Sequence, residues 1–335
     1  MRTLLLAAGA AAIILGAADR VLGSFGARHF LPEQKMQAAL QAGDGCILVL
    51  GDSRMVAGLD ERAAHEALRR RGADRCIADL AIGATDVSGA FLAARTYLAA
   101  GRVPSLVVVG KVEDSLLDPD ITGPKAMVGN NALHLVWSTP GDVFAEVPGF
   151  PFASIAAFDE GLRFLASRAT ALGRYQSLVS VRVQRLQDAL TGTGRGSENR
   201  FGALGDMARL EQEFRSHAAA RLADAVARPG ARSRWLDALL DAVEARRTRV
   251  VVVELPMPEA YRRQVSDRPE AAAYRQLFAA ALSARGHGFV DLSRATWAED
   301  VMFADALHLG PAGAARLSRD LVEQLAVTAL QERPR

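Results

Sequence analysis

The chain has 335 residues, half of them hydrophobic, and 40 Lys and Arg against 38 Asp and Glu leave a net charge of +2. That length supports one large core, or a core with a sizeable insertion. A near-neutral balance without a Lys/Arg stripe interleaved with aromatics argues against a nucleic-acid partner. Abundant Ala and an aromatic content of 6% favour a helix-rich α/β protein over an all-β one.

The N-terminus opens on Met1 and Arg2, followed by an uncharged run from Thr3 to Ala18 that Asp19 and Arg20 end. Sixteen apolar residues are short for a spanning helix, although Val21 and Leu22 extend the run past the charges. One positive charge, an apolar stretch and small residues at Gly16 and Ala18 also describe a cleavable signal peptide. Residues 1–22 are therefore expected to be a signal anchor or a signal peptide, and either places residues 23–335 outside the cytoplasm, on the periplasmic side.

Five short, mostly apolar segments read as buried parallel strands: Cys46–Gly51, Cys76–Ile82, Ser105–Gly110, Arg249–Leu255 and Gly288–Leu292. Helical patterns over Asp60–Arg71, Asp86–Ala100, Ser233–Arg247 and Glu270–Arg285 separate them. A last helix starts at Pro311 and repeats apolar residues at Ala314, Leu317, Leu321 and Leu325. This alternation predicts a doubly wound parallel sheet of about five strands. Between Lys111 and about Arg232 no strand signal appears, so a large helical insertion is expected there. Its helices are read over Asp159–Leu190 and Asp206–Val226, around a polar, Gly-rich loop at Thr191–Arg200.

Two short motifs bear chemistry. The first strand runs into Gly51-Asp52-Ser53-Arg54, which puts Ser53 at the carboxyl edge where α/β sheets bind ligands. Ser53 also reads as a simple helix cap. Asp305-Ala306-Leu307-His308 precedes the Pro311 helix. An Asp and a His three apart in a turn can hydrogen-bond, which fixes the imidazole tautomer and leaves the other ring nitrogen to take a proton from a serine. The preceding strand delivers this turn to the same edge as Ser53. A nucleotide-binding domain is disfavoured, because Gly51-Asp52-Ser53-Arg54 lacks the further glycines that wrap a phosphate.

With these motifs the chain resembles the SGNH (GDSL-like) hydrolase superfamily. Gly51, Asp52 and Ser53 match its first block, and Asp305 and His308 match its last. Gly83, after the second strand, stands where the family has an oxyanion-donating Gly. The resemblance covers the α/β core and not the insertion. It implies a flavodoxin-like, doubly wound sheet, a Ser53–His308–Asp305 triad, and an oxyanion hole from the N–H groups of Ser53 and Gly83. No metal and no cofactor are implied. The family's G-x-N-D block is not matched, since Gly110-Lys111-Val112-Glu113 carries Val at the Asn position. Lys111, Asn130 and Asn131 are candidate replacement donors, and Asp52 and Arg54 are further candidates to touch substrate. Glu254 and Asp291, at the ends of the last two strands, are candidate pocket residues.

The layout of an N-terminal hydrophobic segment before an SGNH-like domain is similar to that of envelope proteins of polysaccharide O-acetylation. That similarity implies acyl esters of cell-envelope or secreted polysaccharide as substrate, a membrane-bound O-acyltransferase as partner, and attachment to the inner membrane. A non-catalytic role, binding glycan or scaffolding the acyltransferase, is the alternative that Val112 supports. Cys46 and Cys76 are the only cysteines, each seven residues before Ser53 and Gly83 respectively. They form either a bridge at the far end of the sheet or two buried apolar side chains.

Overall fold

The computed structural model describes residues 2–83, 85–111, 136–139, 141–142, 155–175, 220, 222–223, 226–227, 233–305 and 307–326. The chain divides into two compact units, one of residues 1–37 and 121–200, the other of residues 38–120 and 201–335.

The first unit is helical. α1 (Arg2–His29) is a single helix that continues past the predicted hydrophobic run, and α2 (Leu31–Ala42) follows it after Phe30. No helix among the described residues is long and apolar enough to cross a membrane. Within the insertion, α6 (Ile155–Ala169) begins four residues before the predicted Asp159 and stops at Thr170. There the Thr170 hydroxyl caps α7 (Ala171–Arg174) by accepting the Gly173 N–H at 3.0 Å. Phe30, Val136 and Tyr175 form a small core, with the Phe30 and Tyr175 rings edge-on at 5.8 Å. The rest of the expected insertion, namely residues 176–190, the Thr191–Arg200 loop and most of Asp206–Val226, lies outside the described residues.

The second unit is the predicted parallel α/β fold. Its strands are β1 (Ile47–Gly51), β2 (Ile77–Asp79), β3 (Leu106–Lys111), β4 (Arg249–Glu254) and β5 (Gly288–Asp291). All neighbours are parallel, in the order β2-β1-β3-β4-β5. The helices between them are α3 (Ser53–Gly58), α4 (Glu61–Arg70), α5 (Val87–Ala99), α8 (Arg234–Glu244), α9 (Pro269–Ala284) and α10 (Pro311–Leu325). α5 packs with α8, while α10 packs on α3 and α4. β1, β3 and β4 are buried almost throughout, which is why their sequences are apolar runs interrupted by charge only at the strand ends. β2 proper ends at Asp79, yet its pairing with β1 runs on to the predicted Ile82: the Leu80 and Ile82 N–H groups donate to the Val49 and Gly51 carbonyls at 2.8 and 2.9 Å, while the Asp79 carboxylate accepts the Ala81 N–H at 2.9 Å.

Register aligns the carboxyl ends of the strands, with Gly51 opposite Gly110, Lys111 opposite Glu254 and Glu254 opposite Asp291. At the other end, Ile47 pairs with Ile77, and the preceding Cys46 and Cys76 form a disulfide. The bridge closes 30 residues of chain. Constraining a loop of that size in the unfolded chain is worth roughly 3–4 kcal/mol. The Cys46→Ser/Cys76→Ser variant is therefore expected to unfold at clearly lower denaturant concentration. An unchanged midpoint shows that the bridge constrains nothing the folded chain does not already hold.

The same far edge carries a buried histidine. His287 Nδ1 accepts the Val250 N–H at 3.3 Å and its Nε2 lies 2.8 Å from Glu244 Oε1, an arrangement that fits a neutral ring donating to the carboxylate. Burial pushes the His287 pKa below its ordinary value, outweighing the pull of Glu244, and Arg285 and Arg249 act in the same direction as burial. On acidification the unfolded chain takes up this proton first. The contribution is therefore intact above about pH 6.5 and is lost as pH falls from there towards the folded-state value. Unfolding at pH 5 and 7 is expected to show a smaller pH difference in His287→Gln than in the wild type. Equal differences in the two proteins contradict this assignment.

Candidate active site

The site lies where β1 passes into α3. Gly51 is required there by space, since a Cβ on it would sit 2.4 Å from the Met55 Cβ and 2.8 Å from the Gly110 carbonyl oxygen. A Cβ on Gly110 would lie 2.5 Å from the Met55 sulfur. Met55, fully buried, thus fills the gap between the ends of β1 and β3 and lets α3 start directly on the sheet edge. Asp52 is the cap of α3 and accepts the Arg54 N–H at 2.9 Å. Ser53 is the first helical residue.

His308 arrives from the other end of the chain. After β5, Trp297 donates its indole N–H to Asp320 of α10, and a short 3-10 turn covers Asp300–Met302. Phe303 and Leu309 then form an antiparallel bridge, closed by Ala304 N–H to His308 O and Gly310 N–H to Met302 O, both at 2.8 Å. Asp305 occupies the loop between them. One of its oxygens accepts the backbone N–H groups of Leu307 and His308, each at 2.8 Å, and both lie 2.9 Å from His308 Nδ1. The same carboxylate therefore shapes the turn and aims the ring. Burial alone would raise the Asp305 pKa, but the Leu307 N–H, the imidazole and the His308 N–H hold it below the usual carboxylate value. With Nδ1 donating to Asp305, Nε2 is left as an acceptor, and Ser53 Oγ lies 2.9 Å from it. Serine, histidine and aspartate, separated by about 250 residues of sequence, thus form one hydrogen-bond chain. Such a chain can draw the serine proton onto the imidazole as the oxygen attacks an electrophile.

Gly83 lies beside the serine: a Cβ on it would fall 3.7 Å from the Ser53 Cβ. Val112, Asn130 and Asn131 lie outside the described residues. The other candidates are drawn into ion pairs. Arg54 folds back on Asp52, its Nε 3.1 Å and one terminal nitrogen 2.5 Å from Asp52 Oδ2, and its side chain is only 12% exposed. Lys111 is wholly buried, with its ammonium 4.0 Å from the same oxygen. Burial by itself would raise the pKa of Asp52, yet the Arg54 guanidinium and the Lys111 ammonium hold it far below the usual carboxylate range. These three residues brace the cap under Ser53. Glu254 is likewise buried, paired with Arg275 of α9 at 2.9 Å, and Arg275 Nε lies 3.5 Å from Asp291. Asp291 also accepts the N–H and hydroxyl of Ser293.

The bracing was absent from the sequence reading, although the segment Leu106–Lys111 held a signal. A lysine at the end of an all-apolar buried strand needs a carboxylate nearby.

No family model matches the chain, and no curated protein matches it. Among solved structures it is similar to TesA, with 14% identity over 84% of this chain and 99% of that one and a TM-score of 0.39. It is also similar to the lipase/acylhydrolase from Enterococcus faecalis, with 12% identity over 84% and 95% of the two chains and a TM-score of 0.39.

Proposed function

We propose that this protein is a serine esterase or O-acyltransferase of the SGNH type. The observation that carries the reading is the hydrogen-bond chain from Ser53 Oγ through both nitrogens of His308 to Asp305. Ser53 Oγ attacks an ester carbonyl while His308 Nε2 takes its proton, and Asp305 stabilises the imidazolium. The N–H groups of Ser53 and Gly83 receive the oxyanion. His308 returns the proton to the leaving alcohol as the tetrahedral species collapses to an acyl-serine. Water then completes hydrolysis, or a sugar hydroxyl completes transfer, again through His308.

The substrate class we favour is acyl esters, above all acetyl esters, of cell-envelope or secreted polysaccharide. The apolar N-terminal run and the Cys46–Cys76 bridge, which suits an oxidising compartment, support a location outside the cytoplasm at the membrane. A membrane-bound O-acyltransferase is the fitting partner.

A serine-directed fluorophosphonate probe tests the core of this reading. Labelling of the wild type that disappears in Ser53→Ala is expected, followed by turnover of acetylated polysaccharide with or without an acceptor glycan. A folded wild type that takes no label sinks it in favour of a non-catalytic partner of the acyltransferase, the role that Val112 at the usual Asn position supports.

A further inference from the structure

Ser53 and His308 belong to separate segments of the second unit, and both segments are fastened to α10. α3, which starts at Ser53, has six residues. A helix that short does not hold itself, so its position depends on how its two ends are attached. Asp52 caps the first end. At the second end stands Ser318 of α10, wholly buried and one turn from Ala314 and Leu321 in the apolar face of that helix. A serine within a helix often returns its hydroxyl to the carbonyl one turn back. Ser318 instead reaches across to the turn between α3 and α4. Its oxygen accepts the Asp60 N–H at 2.8 Å, and its hydroxyl donates to the Gly58 carbonyl at 3.4 Å. Gly58 lets that turn come close, since a Cβ on it would lie 2.7 Å from Leu317 Cδ2.

The segment carrying His308 meets α10 nearer its start. A Cβ on Gly313 would fall 2.5 Å from the Met302 carbonyl oxygen and 2.8 Å from Leu309 Cδ2. That Met302 oxygen accepts the Gly310 N–H and so helps to close the Phe303–Leu309 bridge around Asp305 and His308. The bare Gly313 backbone therefore lets the bridge sit directly on α10, and the Trp297 bond to Asp320 fixes the chain that leads into it. Gly313 and Ser318 are five residues apart on one helix, which spaces the two attachments by about 7.5 Å along its axis.

We propose that Ser318 is a positioning residue: by tying the end of α3 to α10, it sets Ser53 Oγ against His308 Nε2, the two atoms 2.9 Å apart. α10 is the gauge from which both are placed, α3 at Ser318 and the His308 turn at Gly313. Ser318 acts through α3 and takes no part in the proton transfer itself. The proposal rests on the reading of Ser53 and His308 as nucleophile and base. Without the Asp60 bond, α3 keeps its cap but loses the attachment that holds Ser53 in line with the imidazole.

The rate of fluorophosphonate labelling, with kcat and KM for an activated acetate ester, tests it in the full chain. The proteins compared are the wild type, Ser318→Ala, His308→Ala and Ser318→Ala/His308→Ala. Misplacing reacting atoms by about 1 Å can cost about 10²-fold. Ser318→Ala is expected to lower the labelling rate and kcat by about 10- to 100-fold with KM nearly unchanged. Ser318→Cys, close in shape but with a weakly accepting thiol, is expected to do the same if the alanine variant folds poorly. In the His308→Ala background the loss of the Ser318 hydroxyl is expected to change the residual ester rate by less than about twofold, because the pairing it serves is already gone. Cys46→Ser/Cys76→Ser, destabilised at the far edge of the sheet, is expected to label at the wild-type rate, which separates lost stability from lost alignment. A Ser318 variant that labels as fast as the wild type, whatever its unfolding midpoint, overturns the proposal and leaves the triad standing. Equal slowing with and without His308 overturns it too and makes Ser318 a purely structural residue. A wild type that takes no label overturns the reading of Ser53, and this proposal with it.

Discussion

Replacing His308 by Ala is expected to lower hydrolysis of an activated acetate ester by about 10⁴-fold or more, and replacing Ser53 by Ala by a similar factor. The two side chains act in one proton transfer across 2.9 Å, so the loss of either removes the same step. The double variant is accordingly expected to be no slower than the worse single one. Asp305→Asn gives a sharper contrast. Asp305 is acceptor-only towards Nδ1 and the turn's N–H groups, and an amide of the same shape can donate to Nδ1. That favours the ring tautomer whose Nε2 carries hydrogen and cannot accept from Ser53. Activity is expected to fall by about 10⁴-fold while stability changes far less. Rates that multiply independently in the double variant, or an Asp305→Asn protein with wild-type turnover, remove these residues from the chemistry.

The strands were legible because burial on both faces writes itself as an unbroken apolar run, as in Val250–Val253. The two ends of the site were legible for the same topological reason: parallel strands with level ends bring everything at their carboxyl termini together, so Gly51-Asp52-Ser53 and Asp305-x-x-His308 had to share an edge. Features decided by side chains from distant segments were hidden. α2 carries too few apolar residues to declare itself, and it is held partly by Glu33, which accepts from the Tyr175 hydroxyl at 2.7 Å. Asp52 and Lys111 stand 59 positions apart, and their meeting requires the β1–β3 register, which no local pattern supplies.

That hidden group carries the largest stability effect expected in the second unit. Asp52→Asn keeps a side chain able to cap α3 but removes the carboxylate facing Arg54 and the wholly buried Lys111 ammonium. Removing one member of a buried charge cluster costs on the order of 3–5 kcal/mol, because the opposite charges stay desolvated without it. Replacing the members together by apolar groups of similar volume is often close to neutral. Asp52→Asn is therefore expected to lower the unfolding midpoint strongly, and Asp52→Asn/Lys111→Met is expected to recover much of the loss. A carboxylate whose folded-state pKa lies below its unfolded one contributes stability above about pH 4, and that contribution drains away as pH falls further. Below that pH the wild type is expected to converge on Asp52→Asn. A double variant no more stable than Asp52→Asn separates Lys111 from Asp52, and an unfolding difference that persists unchanged at pH 3 assigns the cost to packing instead of charge.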